Sequence, residues 1–193
     1  MHNIGNDIVD LSLAKIQSNW QRKGFLEKQF TQKEQIEILA SENPFLKVWL
    51  FWSMKEAAYK CYTQKNEKRF FAPKKFQCTL TSKEEGFVVF EDSKFYTATF
   101  FNAFYIHTIA DEVKNGGKIT SAICLPNTVN TVNTVIKKTL EKKTTFPFEE
   151  IEKRKTIVGA PLFYYKEKLL TNSCSISHHG NYAAYIFTLN NEY

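Results

Sequence analysis

Three short segments of the chain carry side chains that could do chemistry. In WSMKEAAYK, a helix would place Trp52, Glu56 and Lys60 on one face, with Lys55 a third of a turn away. A carboxylate beside an ammonium on an otherwise apolar helix can take a proton while the cation holds an anion. It can equally be a solvated pair steadying the helix by about 0.3–0.5 kcal/mol, and spacing alone favours that plainer reading. In GNDIVDL, Asp7 follows a glycine-containing turn out of an apolar strand. A carboxylate there suits Mg²⁺, which takes one or two protein carboxylates and fills its shell with waters and substrate phosphates. Asp7 can also be a plain turn residue, and Asp10 reads as a helix N-cap. The third segment, SISHHG, sets Ser177 and His178 between two predicted strands, as a phosphate-binding turn or a polar hairpin tip. No aspartate spacing points to a hydrolase triad, and the G-x-S-x-G elbow is absent. Adjacent histidines in a strand face opposite ways and make a poor metal pair.

The elements that must position these groups follow from periodicity and caps. Asn3 to Val9 predicts a strand bent at Gly5, and Asp10 to Gln21 an amphipathic helix. Thr31 with Glu34 forms a capping box for a helix running to Ala40, which Asn43-Pro44 ends. Phe45 to Tyr62 lacks Gly and Pro and predicts a strong helix. Aromatic and β-branched runs predict strands at Phe76–Leu80, Gly86–Phe90, Phe95–Phe101 and Phe104–Ile109. A helix over Thr128–Lys143 follows, then strands at Thr156–Val158, Leu162–Tyr165, Cys174–Ser177 and Tyr182–Thr188. FYIHTIAD, Phe104 to Asp111, parallels AYIFTLNN, Ala184 to Asn191, and each closes a run of strands. Two related β-lobes are expected, residues 1–125 and a smaller 126–193.

Composition bounds the partners. At 193 residues, 43% hydrophobic and 24% charged, the chain is expected to be a soluble globular protein. The longest aromatic-aliphatic run, Val48 to Trp52, is far short of the ~20 residues of a membrane span. Asp7 and Asp10 interrupt the stretch where a signal peptide would be apolar. The four cysteines lie far apart, without metal-ligand spacing, so free thiols and a cytoplasmic location are expected. The net charge of +6 favours an anionic partner. Its lysines and arginines are scattered rather than striped with aromatics, which disfavours nucleic acid.

Together, Gly5-Asn6-Asp7, Trp52 to Lys60 and Ser175-Ile176-Ser177-His178 resemble the phosphopantetheinyl transferase superfamily. Its members carry a G-x-D segment, a W/F-x-x-K-E-x-x-x-K helix and an S-x-S-H turn. Phe30 to Glu34 is similar to the family's F-T-x-x-E, and Gly159-Ala160-Pro161 resembles its G-K-P hairpin. The motif order is that of holo-acyl-carrier-protein synthases, while the length approaches the surfactin-synthetase-activating type. Val9 stands where the latter type has a third acidic ligand, and Cys61 to Arg69 lacks the glycines that often follow the family's helix.

The resemblance implies an α+β, phosphopantetheinyl-transferase-like fold: a pseudo-dimer of two lobes, each with a helix packed on a small antiparallel sheet. It implies a Mg²⁺-dependent transferase moving 4′-phosphopantetheine from coenzyme A to a serine of an acidic acyl or peptidyl carrier protein. Asp7 and Glu56 would hold the metal, Glu56 and Lys60 would be catalytic, and Lys55, Ser177 and His178 would bind coenzyme A. A monomer with one complete site is expected, with a trimer as the competing arrangement. The rival readings are a non-catalytic binder of coenzyme A or carrier protein and, on charge alone, a nucleic-acid-binding module.

Overall fold

The computed structural model describes residues 2–70, 72–125, 129–190 and 192, with 129 and 130 described by backbone alone. Met1, Pro126 and Tyr193, at the limits of the expected lobes, lie outside the described residues. So do Thr128 and Asn191, where the predicted helix begins and the repeated segment ends.

Strand β1 (Ile4–Asp10) is buried along its whole length. Asp10 then caps α1 (Leu11–Gln17), its Oδ1 accepting the Leu13 N–H at 3.1 Å. After α2 (Phe25–Gln29), the expected capping box opens α3 (Gln32–Leu39): Thr31 and Glu34 each accept the other's backbone N–H. Asn43 caps α4 (Pro44–Asn66) through the Leu46 N–H, and Pro44 sits in the first turn, where its missing N–H is not needed. This 23-residue helix buries residues on several sides, so it is a central element rather than a surface one.

Strands β2 (Gln77–Leu80), β3 (Glu85–Phe90), β4 (Ser93–Phe101) and β5 (Tyr105–Asp111) join β1 in an antiparallel sheet ordered β1-β5-β4-β3-β2. Helix α4 lies across it, chiefly on β1 and β5, over a core that includes Phe51, Met54, Phe76, Phe95 and Ile106. Gly5 lets strand and helix meet. A Cβ there would fall into the Ala57 carbonyl oxygen and 2.6 Å from the Cys61 nitrogen. The expected bend at Gly5 is absent: the glycine serves close approach within a continuous strand.

The remaining elements are β6 (Ile119–Cys124), α5 (Val129–Thr144), β7 (Ile151–Lys155), β8 (Pro161–Tyr165), β9 (Lys168–Leu169), β10 (Thr171–His179) and β11 (Tyr182–Leu189). They form a second sheet ordered β10-β11-β6 and a third ordered β7-β8-β9. Val132, Ile136 and Leu140 of α5 pack in a second core with Phe163, Cys174, Tyr185 and Phe187. Because β6 pairs with β11, the second sheet recruits residues before Leu125, ahead of the expected lobe boundary. Thr156–Val158, predicted as a strand, is the turn between β7 and β8; the strand is the charged Ile151–Lys155 just upstream. Ser177 and His178 also belong to a strand rather than a turn, because the β10–β11 ladder continues to the His179–Tyr182 pair.

Strand β1 is an edge strand, and β10 closes that edge with side chains instead of a backbone ladder. Ser173 and Ser175 hydroxyls accept the Ile4 and Asn6 N–H groups at 3.1 Å. His179 Nδ1 accepts the Asp10 N–H at 2.9 Å. Every second residue of β10 thus faces β1, which joins the two sheets and satisfies amides that would otherwise be buried without partners.

Candidate functional site

Gly5 and Val9 face α4, so alternation along β1 puts Asp7 on the same side. There Lys60 Nζ donates to Asp7 Oδ1 at 3.1 Å and to the Asn6 carbonyl at 2.9 Å. Glu56 sits one turn earlier on α4, half-buried, and makes no hydrogen bond among the described residues. Burial first, and then the Asp7 charge, push its carboxyl up to about 7, against the opposing pull of Lys60. Two carboxylates therefore lie near one ammonium at the α4–β1 crossing, and it pairs with Asp7.

This donor set fits a hard divalent cation. Two carboxylate oxygens match what Mg²⁺ takes from a protein, and a cation would relieve the repulsion that raises Glu56. Among the described residues no cluster of three or more potential ligands occurs, so water and substrate oxygens would complete the shell. Val9, where a third carboxylate would stand in part of the family, is buried in the first core.

The other expected site residues do not all join this group. Lys55 turns into the core with only 1% of its side chain exposed. Its Nζ donates to both Glu34 carboxylate oxygens at 2.9 Å, to the Pro73 carbonyl at 3.1 Å and to the Phe76 carbonyl. Neighbouring helical residues lie about 100° apart, so the Lys55 and Glu56 side chains leave α4 in different directions. Glu34 also accepts the Cys78 N–H at 2.7 Å, making the F-T-x-x-E segment a structural clamp. Ser177 is buried at the seam, its hydroxyl accepting from Asn6 Nδ2 at 2.9 Å. His178 lies on the opposite side of β10 and is exposed.

Other groups also stand at the site. His107 on β5 has Nε2 3.2 Å from Asn6 Nδ2, and burial, then Lys60, hold its imidazole down at about 4. Tyr59 lines two cavities on either side of it. One, about 240 Å³, is also lined by Lys55, Glu56, Phe70, Pro73 and Phe76. The other, about 270 Å³, runs from Lys60 to Arg69 and the turn at Gly159-Ala160-Pro161. A larger cavity, about 870 Å³, lies beside α1 and the start of α4 and contains none of the carboxylates. Asn6 fell inside a recognised motif as its variable position, and Arg69 closes a polar run without periodicity, so neither gave a signal of its own.

No helix among the described residues is long and apolar enough to cross a membrane. No curated protein matches the chain. A family model described as the 4′-phosphopantetheinyl transferase superfamily matches residues 3–117, the span that contains Asp7, Glu56 and Lys60. That match takes in more than half of the 193 residues, and with it the chain belongs to the 4′-phosphopantetheinyl transferase superfamily.

Proposed function

We propose that this protein transfers 4′-phosphopantetheine from coenzyme A to a serine of an apo acyl or peptidyl carrier protein, with Mg²⁺, and releases adenosine 3′,5′-bisphosphate. The convergence of Asp7, Glu56 and Lys60 where α4 crosses β1, inside the family-matched span, carries this reading.

The serine oxygen bonds to the β-phosphorus of coenzyme A as the pyrophosphate bridge breaks toward the nucleotide. Glu56 is the candidate acceptor of the serine proton, a role worth about 10²–10⁴ in rate. Lys60, fixed by Asp7 and the Asn6 carbonyl, offsets negative charge on the pyrophosphate oxygens. Asp7 and Glu56 would hold Mg²⁺, which when bound supplies Lewis-acid polarisation of the phosphoryl oxygens. Exposed His178 is the candidate partner of the 3′-phosphate, whereas Lys55 and Ser177 act in the scaffold. The +6 charge suits an acidic carrier, whose encounter it would speed.

The architecture supports a pseudo-dimer. The order β6-β11-β10 parallels β1-β5-β4, with α5 packed on the second sheet as α4 is on the first. The repeated segments fall on β5 and β11, the central partners of the two sets. On this reading the second lobe begins with β6.

The test is to incubate the protein with coenzyme A, Mg²⁺ and apo carriers of fatty-acid, polyketide and peptide synthesis. Intact-mass spectrometry should show one carrier gaining a phosphopantetheine group. No mass gain on any of them, with coenzyme A bound but unconsumed, would leave a binding protein and remove the transferase.

A further inference from the structure

Helix α4 ends at Asn66, and Glu67 adopts a left-handed conformation with φ 49°, which turns the chain back toward the second lobe. The glycine-free stretch that follows reaches across the cleft. Arg69 donates from Nε to the Val158 carbonyl at 2.9 Å and from Nη2 to the same oxygen. The turn it grips is closed on itself: Thr156 N–H bonds the Ala160 carbonyl at 2.9 Å and Gly159 N–H the Thr156 carbonyl at 2.8 Å. Gly159 has φ 79°, and a Cβ there would stand 2.6 Å from Arg69 Nη2. The glycine therefore makes room for the guanidinium as well as for the turn.

The cavity between this turn and α4 is lined by two cations, Lys60 and Arg69, and by no carboxylate. Lys60 is paired with Asp7. Arg69 has no acidic partner among the described residues, and Nη1 makes no hydrogen bond there. A guanidinium held by one carbonyl, with N–H donors left over at a cavity wall, is built to receive an anion with paired oxygens.

We propose that Arg69 is a phosphate-binding residue of the cleft, in a loop where the family's usual glycines are replaced. It would grip one phosphate group of the substrate while latching the 156–160 turn over it. Which phosphate it meets rests on the coenzyme A reading above; the anion site itself does not.

Calorimetric titration of the full chain and its Arg69→Gln variant decides it. The ligands are coenzyme A, 3′-dephospho-coenzyme A, phosphate-free pantetheine and inorganic pyrophosphate. Arg69→Gln should weaken coenzyme A about tenfold or more and leave pantetheine unchanged, with Arg69→Lys in between. A loss that vanishes with 3′-dephospho-coenzyme A assigns Arg69 to the 3′-phosphate, and one that persists assigns it to the pyrophosphate. Equal affinity of Arg69→Gln and the unmutated protein for coenzyme A, or an equal loss for pantetheine, overturns the proposal. Failure of the unmutated protein to bind coenzyme A, with pyrophosphate binding that Arg69→Gln abolishes, keeps the anion site and sinks the transferase reading. Binding of neither sinks both.

Discussion

At the scale of single residues, Glu56 governs the pH behaviour of the site. Its carboxyl titrates at about 7 in the folded chain, above the ordinary glutamate value near 4.5. The native state therefore keeps a proton that the unfolded chain loses, and stability falls as pH rises from about 4.5 to 7. Glu56→Gln should remove this loss, roughly 3 kcal/mol at most, and melt at a higher temperature than the unmutated protein at pH 8 but not at pH 4. Identical pH profiles of Tm would rule out a raised Glu56. Because a cation binds only the ionised carboxylate, Mg²⁺ affinity should strengthen as pH rises to about 7, which calorimetry can follow. Asp7→Ala should lower carrier modification by about 10²-fold or more with the fold intact, and a near-normal rate would remove Asp7 from the site. His107 titrates in the opposite sense. Held at about 4, it stabilises the fold above pH 6.5 and loses that contribution as pH falls toward 4. His107→Gln should flatten this part of the acid unfolding curve.

Among elements, the crossing of β1 and α4 sets the geometry of the carboxylates. Gly5→Ala would drive a methyl group into the Ala57 carbonyl, so strand and helix must part, at a cost of about 1–3 kcal/mol. Denaturant unfolding and transfer rate should fall together in this variant; unchanged activity would mean that the crossing does not position Asp7. The clamp between α3 and α4 is a separate device. Lys55→Met strands the buried Glu34 carboxylate and should cost about 3–5 kcal/mol, whereas adding Glu34→Gln should recover part of it. A Lys55→Met variant of full stability that loses only coenzyme A affinity would restore Lys55 to the substrate.

For the whole molecule, the seam between β1 and β10 sets how many chains make one site. Ser173, Ser175 and His179 hold the two sheets together within one polypeptide, and the cavity between Lys60 and Gly159 is lined by α4 and by β10 of the second sheet. A monomer should therefore be active, seen as a single-chain mass by light scattering at assay concentration with full specific activity. An active species of three chains that loses activity on dilution would put the site between subunits instead.

The sequence by itself determined what depends on neighbours three or four residues apart. The caps at Asp10 and Thr31 and the long helix after Asn43 were legible because their partners lie within one turn. The same periodicity placed Glu56 and Lys60 on one face, and the resemblance of Gly5-Asn6-Asp7 to the family's G-x-D segment singled out Asp7. Tertiary structure decided the direction in which each remaining side chain points. Only the rotation of α4 against the sheet sends Lys55 to Glu34 and Glu56 to the cleft. The pairing of β6 with β11 decided where the second sheet begins. The edge contact of β1 with β10 set the Ser177 hydroxyl against the Asn6 amide, and the fold of the 67–70 segment brought Arg69 to Val158. These contacts join residues from 21 to 171 positions apart, and no local propensity encodes a partner at that distance.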